Sequence, residues 1–241
     1  FESQLYDLSA FVGLDVSIAF HSTTTNEWLF ALDNFVVGAY SDMQYGWGGY
    51  VYNSDSWSSA ENWYAGAVPT ADVVIDETAD TAAADPSIGS DISATSVTVK
   101  LNASLTIAKE GSLTLSGTLS NSGTITMSSD NDEFSSLIVG SSSGDITYNR
   151  WINSISNESP SDTDPGWDLI GSPLAGVDLT TENFSQNGTS DAILPYNNLE
   201  NTWTTTDIAT FSTISGVGYA MAKDIAGVEP FTGTIETEDK N

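Results

Sequence analysis

Leu105-Thr106-Ile107, Leu113-Thr114-Leu115 and Ile125-Thr126-Met127 are three triplets of one pattern: apolar, threonine, apolar. Val97-Thr98-Val99 precedes them, Ile146-Thr147-Tyr148 follows, and Leu137-Ile138-Val139 keeps the rhythm with an apolar middle residue. The alternation has the period of a strand, so one face of each triplet is buried and the other meets solvent. Successive triplets begin 8, 8, 12, 12 and 9 residues apart, and the gaps hold Gly111, Gly117, Gly123, Gly140 and Gly144, or Asn102 and Asn121. Short strands joined by glycine or asparagine corners at a near-repeating interval coil into a β-solenoid. Inward Leu, Ile and Val are expected to stack into one core over two or three coils, with outward Ser and Thr forming solvent-facing ladders.

Outward from this centre the chain divides into four parts. Residues 71–150 are the solenoid. Residues 43–70 carry the densest aromatic run, with Tyr45, Trp47, Tyr50, Tyr52, Trp57, Trp63 and Tyr64, and read as a linker or cap. Residues 1–42 hold strands at 14–20 and 28–37, too few for an independent sheet, and so read as the end of a larger β domain. Residues 151–241 hold separated strands at 167–170, 192–196, 218–222 and 231–235, punctuated by Pro160, Pro165, Pro173, Pro195 and Pro230, as in a β-sandwich-like domain. The expected fold class is all-β, and both termini read as cuts within a longer polypeptide.

Five Lys and Arg stand against 33 Asp and Glu, a net charge of -28 that repels phosphate backbones and anionic membrane surfaces. Nucleic acid is excluded as a partner on that ground. No apolar run approaches the ~18 to 20 residues of a membrane span, so no membrane insertion is expected. Cysteine is absent, which removes thiolate metal sites and cysteine nucleophiles. The single histidine, His21, has no second His or Cys to form a triad or a zinc site and reads as a surface residue.

Two sets of residues resemble known families. Val16-Ser17-Ile18-Ala19-Phe20 with Trp28-Leu29-Phe30-Ala31-Leu32-Asp33-Asn34-Phe35-Val36-Val37 resembles the last strands of cleaved-adhesin, MAM-like jelly-roll domains of secreted Bacteroidota proteins. The rest resembles a region recurring in large surface proteins of the same bacteria. Its marks are Asn62-Trp63-Tyr64, the Gly111 to Gly117 run, Ile146-Thr147-Tyr148-Asn149-Arg150, Gly166-Trp167-Asp168-Leu169-Ile170-Gly171-Ser172-Pro173 and Gly218-Tyr219-Ala220-Met221. The resemblance implies type IX secretion, an extracellular or cell-surface location, and adhesion or attachment to polysaccharide-degrading enzymes. It makes residues 1–42 a jelly-roll remnant and places Asp33 at that family's calcium position.

Candidate sites follow from residue chemistry. Ser129-Asp130-Asn131-Asp132-Glu133 clusters oxygen ligands, and Asp162-Thr163-Asp164 sets two carboxylates at i and i+2, a spacing used by calcium loops. With Asp33 this gives Asp33, Asp130, Asp132, Asp162 and Asp164 as candidate Ca2+ ligands. Tyr45, Trp47, Trp57 and Trp63 offer flat faces that stack on sugar rings. The competing reading makes Trp57, Trp63 and Tyr64 a cap over the end of the solenoid. Arg150, the only arginine, either clamps a carboxylate or pairs locally and stacks on Trp151. Asp80-Thr81-Ala82 resembles a Bacteroidota O-glycan acceptor, which makes Thr81 a modification candidate. No catalytic motif surrounds any acid. The expectation is a non-enzymatic structural or adhesive module, partnered by copies of itself through β-edge contacts or by extracellular glycans. The alternative is a carbohydrate-binding accessory region of a larger secreted enzyme.

Overall fold

A computed structural model describes residues 46–47, 55–63, 66–76, 85–154, 166–171, 174, 176–180, 184, 186–187, 190–204, 210–214 and 216–237. The strands expected within 1–42 lie outside the described residues. The described chain is all-β, apart from one 3-10 turn at Ala60–Asn62.

The centre is a parallel β-solenoid with three strands to a coil. The first coil is β1 (Asp72–Ile75), β2 (Ser87–Ile88) and β3 (Asp91–Ala94); the second is β4 (Ser96–Val99), β5 (Ser104–Ile107) and β6 (Ser112–Leu115). The third is β7 (Thr118–Asn121), β8 (Thr124–Ser128) and β9 (Ser136–Ile138), and a fourth begins with β10 (Ser141–Ser143) and β11 (Asp145–Ile152). Each solenoid strand pairs in parallel with the strand three places later, so three sheets wrap one core: β1-β4-β7-β10, β2-β5-β8-β11 and β3-β6-β9. In the first sheet Val73 lies beside Val97, Val97 beside Leu119 and Leu119 beside Ser142, which makes the coils 24, 22 and 23 residues long.

The uneven triplet spacing has its origin here. Of the strands in each coil, only some carry the apolar-Thr-apolar signature; Ser87-Ile88, Thr118-Leu119-Ser120-Asn121 and Ser141-Ser142-Ser143 do not, yet they complete the triangle. Leu137 lies beside Leu113 in the third sheet, whereas Ile138 points outward and is 60% exposed. Elsewhere alternation is strict: Val97, Val99, Leu105, Ile107, Leu113 and Ile125 are all 1% exposed or less. Each such side chain contributes roughly 1.5–3 kcal/mol by leaving water.

Corners are set by stacking distance. Gly144 has φ +82, and a Cβ there would stand 2.0 Å from the Asn121 carbonyl oxygen of the coil below. At Gly111 a Cβ would stand 2.0 Å from the Ile88 carbonyl oxygen. The backbone of one coil therefore rests directly on that of its neighbour, which only glycine permits. The few basic residues also join coils: Lys100 reaches Asp76 at 2.8 Å and Lys109 reaches Asp130 at 2.6 Å.

The C-terminal region adds β12 (Asp168–Gly171), β13 (Asp178–Thr180), β14 (Gln186–Asn187), β15 (Ser190–Asp191), β16 (Ile193–Asn197), β17 (Thr202–Trp203), β18 (Thr210–Ser212), β19 (Gly218–Met221) and β20 (Gly227–Thr234). Four of them form an antiparallel sheet in the order β12-β19-β16-β17, and β13-β18 and β14-β15 form two small ribbons. The sequence reading placed residues 231–235 in the C-terminal β domain. Instead β20 lies antiparallel along all eight residues of β11, extending the solenoid's second sheet. Pro230 fits because β20 is the outer edge, where a missing N–H costs no ladder bond. Asp168 fastens the two regions: its carboxylate accepts from the Asn153 backbone N–H at 2.6 Å and from Asn153 Nδ2 at 3.1 Å. Buried side chains from Trp47 through Phe231 form one continuous cluster.

Candidate functional site

The aromatic segment before the solenoid builds a rudimentary extra coil. Gly46 bridges Val74 in parallel and Ser56 bridges Ser87 in parallel, so the segment extends the first and second sheets by single rungs. Trp47 N donates to Val74 O at 3.1 Å and Trp57 N to Ser87 O at 2.9 Å. Between these rungs Trp47, Trp57 and Trp63 are packed edge to face, with centroids 5.1 Å apart for Trp47–Trp63 and 4.7 Å for Trp57–Trp63. Their exposures are 1%, 1% and 0%. Sugar stacking needs a ring face at the surface, and all three faces are spent on the core; this corrects the expectation of Trp47, Trp57 and Trp63 as sugar contacts. Tyr45 and Thr81 lie outside the described residues.

Asp130 and Asp132, expected as calcium ligands, sit in the loop between β8 and β9. The position where a cation would sit between Asp130 and Glu133 is filled by the Lys109 ammonium, 2.6 Å from Asp130 Oδ2 and 3.0 Å from Glu133 Oε2. Asp130 Oδ1 accepts from the backbone N–H groups of Asp132 and Glu133 at 3.0 and 2.9 Å. The Lys109 hydrogen bond, with those two amides, lowers the Asp130 carboxyl to about 2. The Lys109 ammonium is correspondingly held above its ordinary value by Asp130 and Glu133. Among the described residues no three His, Cys, Asp or Glu side chains gather around a metal position. Asp33, Asp162 and Asp164 lie outside the described residues.

Arg150 stacks on Phe134, not on Trp151, its guanidinium carbon 3.9 Å from the ring centroid. It faces Glu229 across the β11–β20 ladder, but the Glu229 carboxylate, 3% exposed as a residue, pairs with Lys223 at 2.9 Å. Beside this cluster a recess of about 230 Å³ opens at the end of the solenoid, lined chiefly by Met127, Leu137, Ile146, Leu174 and Ile235. Its polar lining is Ser135, Ser136 and Tyr148, with no carboxylate and no basic group. Burial raises the Tyr148 hydroxyl above its ordinary value, against an opposing pull from Arg150.

The exposed aromatics are elsewhere, on the four-stranded C-terminal sheet. One face of that sheet, with Ile170, Ile193, Tyr219 and Met221, is core. Alternation puts Leu169, Ala220 and Leu194 in one row on the opposite face. Trp167 is 40% exposed, Leu169 73% and Trp203 41%, with Trp203 against Tyr196 at 4.9 Å. Sequence reasoning had Trp167 only as a mark of resemblance. The signal that could have found it is the parity of Trp167 and Leu169 around the buried Ile170 in Gly166-Trp167-Asp168-Leu169-Ile170.

A three-sided parallel solenoid, begun by a tryptophan cap and closed on one side by an antiparallel strand of a C-terminal β region, defines the class of domain. The chain belongs to the family described as "Domain of unknown function (DUF8693)", whose model matches residues 46–237. That span takes in the cap, the solenoid and the C-terminal sheets as one family unit. Comparison with curated proteins and with solved structures returns no match.

Proposed function

We propose that this chain is a non-enzymatic, extracellular structural or adhesive module of a bacterial surface protein, with the solenoid as its rigid spacer. The observation that carries this reading is the continuous core running from the tryptophan cap through three coils to Phe231, which makes a stiff unit with a polar Ser and Thr exterior. The recess supports it as well, because its lining offers no acid–base pair for hydrolysis. In this reading the protein is a type IX secretion cargo of Bacteroidota. Residues 1–42 close a jelly roll, Asp33, Asp162 and Asp164 are calcium ligands, and Thr81 carries a glycan.

Assembly into fibres would use the two sheets that end without a covering strand among the described residues, at β10 and β9. The second sheet is closed by β20, whose Pro230 disfavours strand addition. Antibody labelling of intact producing cells tests the location: label on unpermeabilised cells is expected, and label confined to permeabilised cells removes the reading. Electron micrographs of the purified chain test assembly, where uniform filaments support edge pairing and discrete particles at high concentration remove it. The alternative, a carbohydrate-binding accessory region of a secreted enzyme, is favoured by the surface aromatics of the C-terminal sheet.

A further inference from the structure

We infer that the outer face of the four-stranded C-terminal sheet is a binding platform for a neutral, β-linked polysaccharide. The inference rests on the surface-module reading and adds to it a site and a ligand class. Strand order β12-β19-β16-β17 places Trp167 and Leu169 along one edge of this face and Tyr196 and Trp203 along the other. Between them β19 contributes Gly218 and Ala220, which rise little above the backbone. The result is a shallow trough with a floor of small residues and aromatic walls, three strand spacings or roughly 14 Å across.

Three features fit a sugar chain. A β-linked pyranose with equatorial hydroxyls presents flat C–H faces, and these pack on the electron-rich faces of Trp and Tyr rings, whose polar edges stay wet. The second wall is held ready: the Tyr196 hydroxyl donates to Asn201 Oδ1, and Asn201 takes the left-handed φ of 52 that closes the turn. Asn197 Oδ1 fixes the same turn by accepting from Leu199 N at 3.0 Å and Glu200 N at 3.3 Å. A ring pair already ordered loses little entropy on binding, and the asparagine-rich turn beside it supplies amides for sugar hydroxyls.

Charge selects the occupant. With a net charge of -28, both an anionic polymer and a second copy of the chain are repelled, whereas a neutral glycan is not. The rows formed by Leu169, Ala220 and Leu194 and by Tyr196 and Trp203 carry no charged side chain, so nothing on them needs an ionic partner.

The test is adsorption of the full chain to insoluble cellulose, chitin and β-1,3-glucan, with the unbound protein measured. Adsorption to at least one of them that persists in molar salt is expected. Trp167→Ala with Trp203→Ala should weaken it roughly tenfold or more. Trp203→Phe should retain most of it, and Thr126→Ala, on the solenoid, should leave it unchanged. Circular dichroism and the thermal transition check that the double variant is folded; if it is not, Trp203→Ser and Trp167→Ser are read singly. No adsorption to any of the three, adsorption equal to wild type in the folded aromatic variants, or loss of adsorption in salt overturns the inference. So does a concentration-dependent dimer that the same variants dissolve. Failure here with surface labelling intact removes the platform and leaves the module reading standing.

Discussion

Trp63 Nε1 donates to the Trp57 carbonyl oxygen at 2.8 Å, while the ring of Trp63 meets that of Trp57 edge to face at 4.7 Å and 70°. Trp57 Nε1 is equally buried and donates to nothing. The two indoles of one cap therefore differ in what their N–H groups do. Truncating either to Ala opens a large cavity at the start of the solenoid and is expected to cost about 3–5 kcal/mol. Phe replacements separate them. Trp63→Phe orphans the Trp57 carbonyl and should cost more than Trp57→Phe, which deletes an unsatisfied donor, by about 1 kcal/mol. Urea unfolding followed by tryptophan fluorescence checks the order.

The pair Lys223–Glu229 stabilises the join between the solenoid and the C-terminal region. Both side chains are largely removed from water, at 12% and 4% exposure, and their atoms lie 2.9 Å apart. Lys223→Ala leaves the Glu229 carboxylate buried without its ammonium and should cost about 3–5 kcal/mol. Lys223→Met together with Glu229→Leu should recover most of that loss, since an apolar pair of similar volume needs no desolvation of charge. Chemical denaturation of the three variants measures both effects.

Acid should loosen the loop between β8 and β9 before it unfolds the coils. Asp130 is lowered from 3.8 to about 2 in the fold, so its contribution is fully present above the unfolded value and is lost as pH falls from near 4 through 2. The matching Lys109 contribution, with its raised value, is present below 10.5 and is lost only at strongly alkaline pH. Amide exchange at Asp132 and Glu133 should therefore accelerate between pH 4 and pH 2 beyond its intrinsic change. In Asp130→Asn that acceleration should disappear.

At the corner before β11, Gly144→Ala should destabilise by roughly 2 kcal/mol or more, because an L side chain is strained at positive φ and its Cβ meets the Asn121 carbonyl. Gly171→Ala, where a Cβ meets nothing within 4 Å, is the control and should be close to neutral. Thermal melts of both variants decide this.

Much of the solenoid was legible because its code is local. Each strand side chain points in or out by parity, so Leu105-Thr106-Ile107 discloses its buried face without knowledge of any neighbour. The same logic failed at Ser141-Ser142-Ser143, where three identical polar residues carry no parity signal; pairing with β7 alone makes them a strand. The acidic loop was legible as a cation site but not in its occupant. Lys109 stands 21 residues before Asp130, and only the coil repeat brings them together. The aromatic cap shows the same limit, since ring type announces both sugar stacking and core, and burial decides between them.

The sequence by itself determined an all-β chain with a coiled, three-turn centre and an excess of negative charge, since backbone period, corner glycines and ionisable groups are properties of residues one at a time or in short runs. Tertiary structure alone decided that the coil is three-sided and that the cap tryptophans are core. It also decided that β20 returns to seal the second sheet and that Trp167 and Trp203 are the aromatics facing solvent. Each of these depends on contacts between residues far apart in the chain, and whether a side chain is buried is fixed by what the rest of the fold places over it.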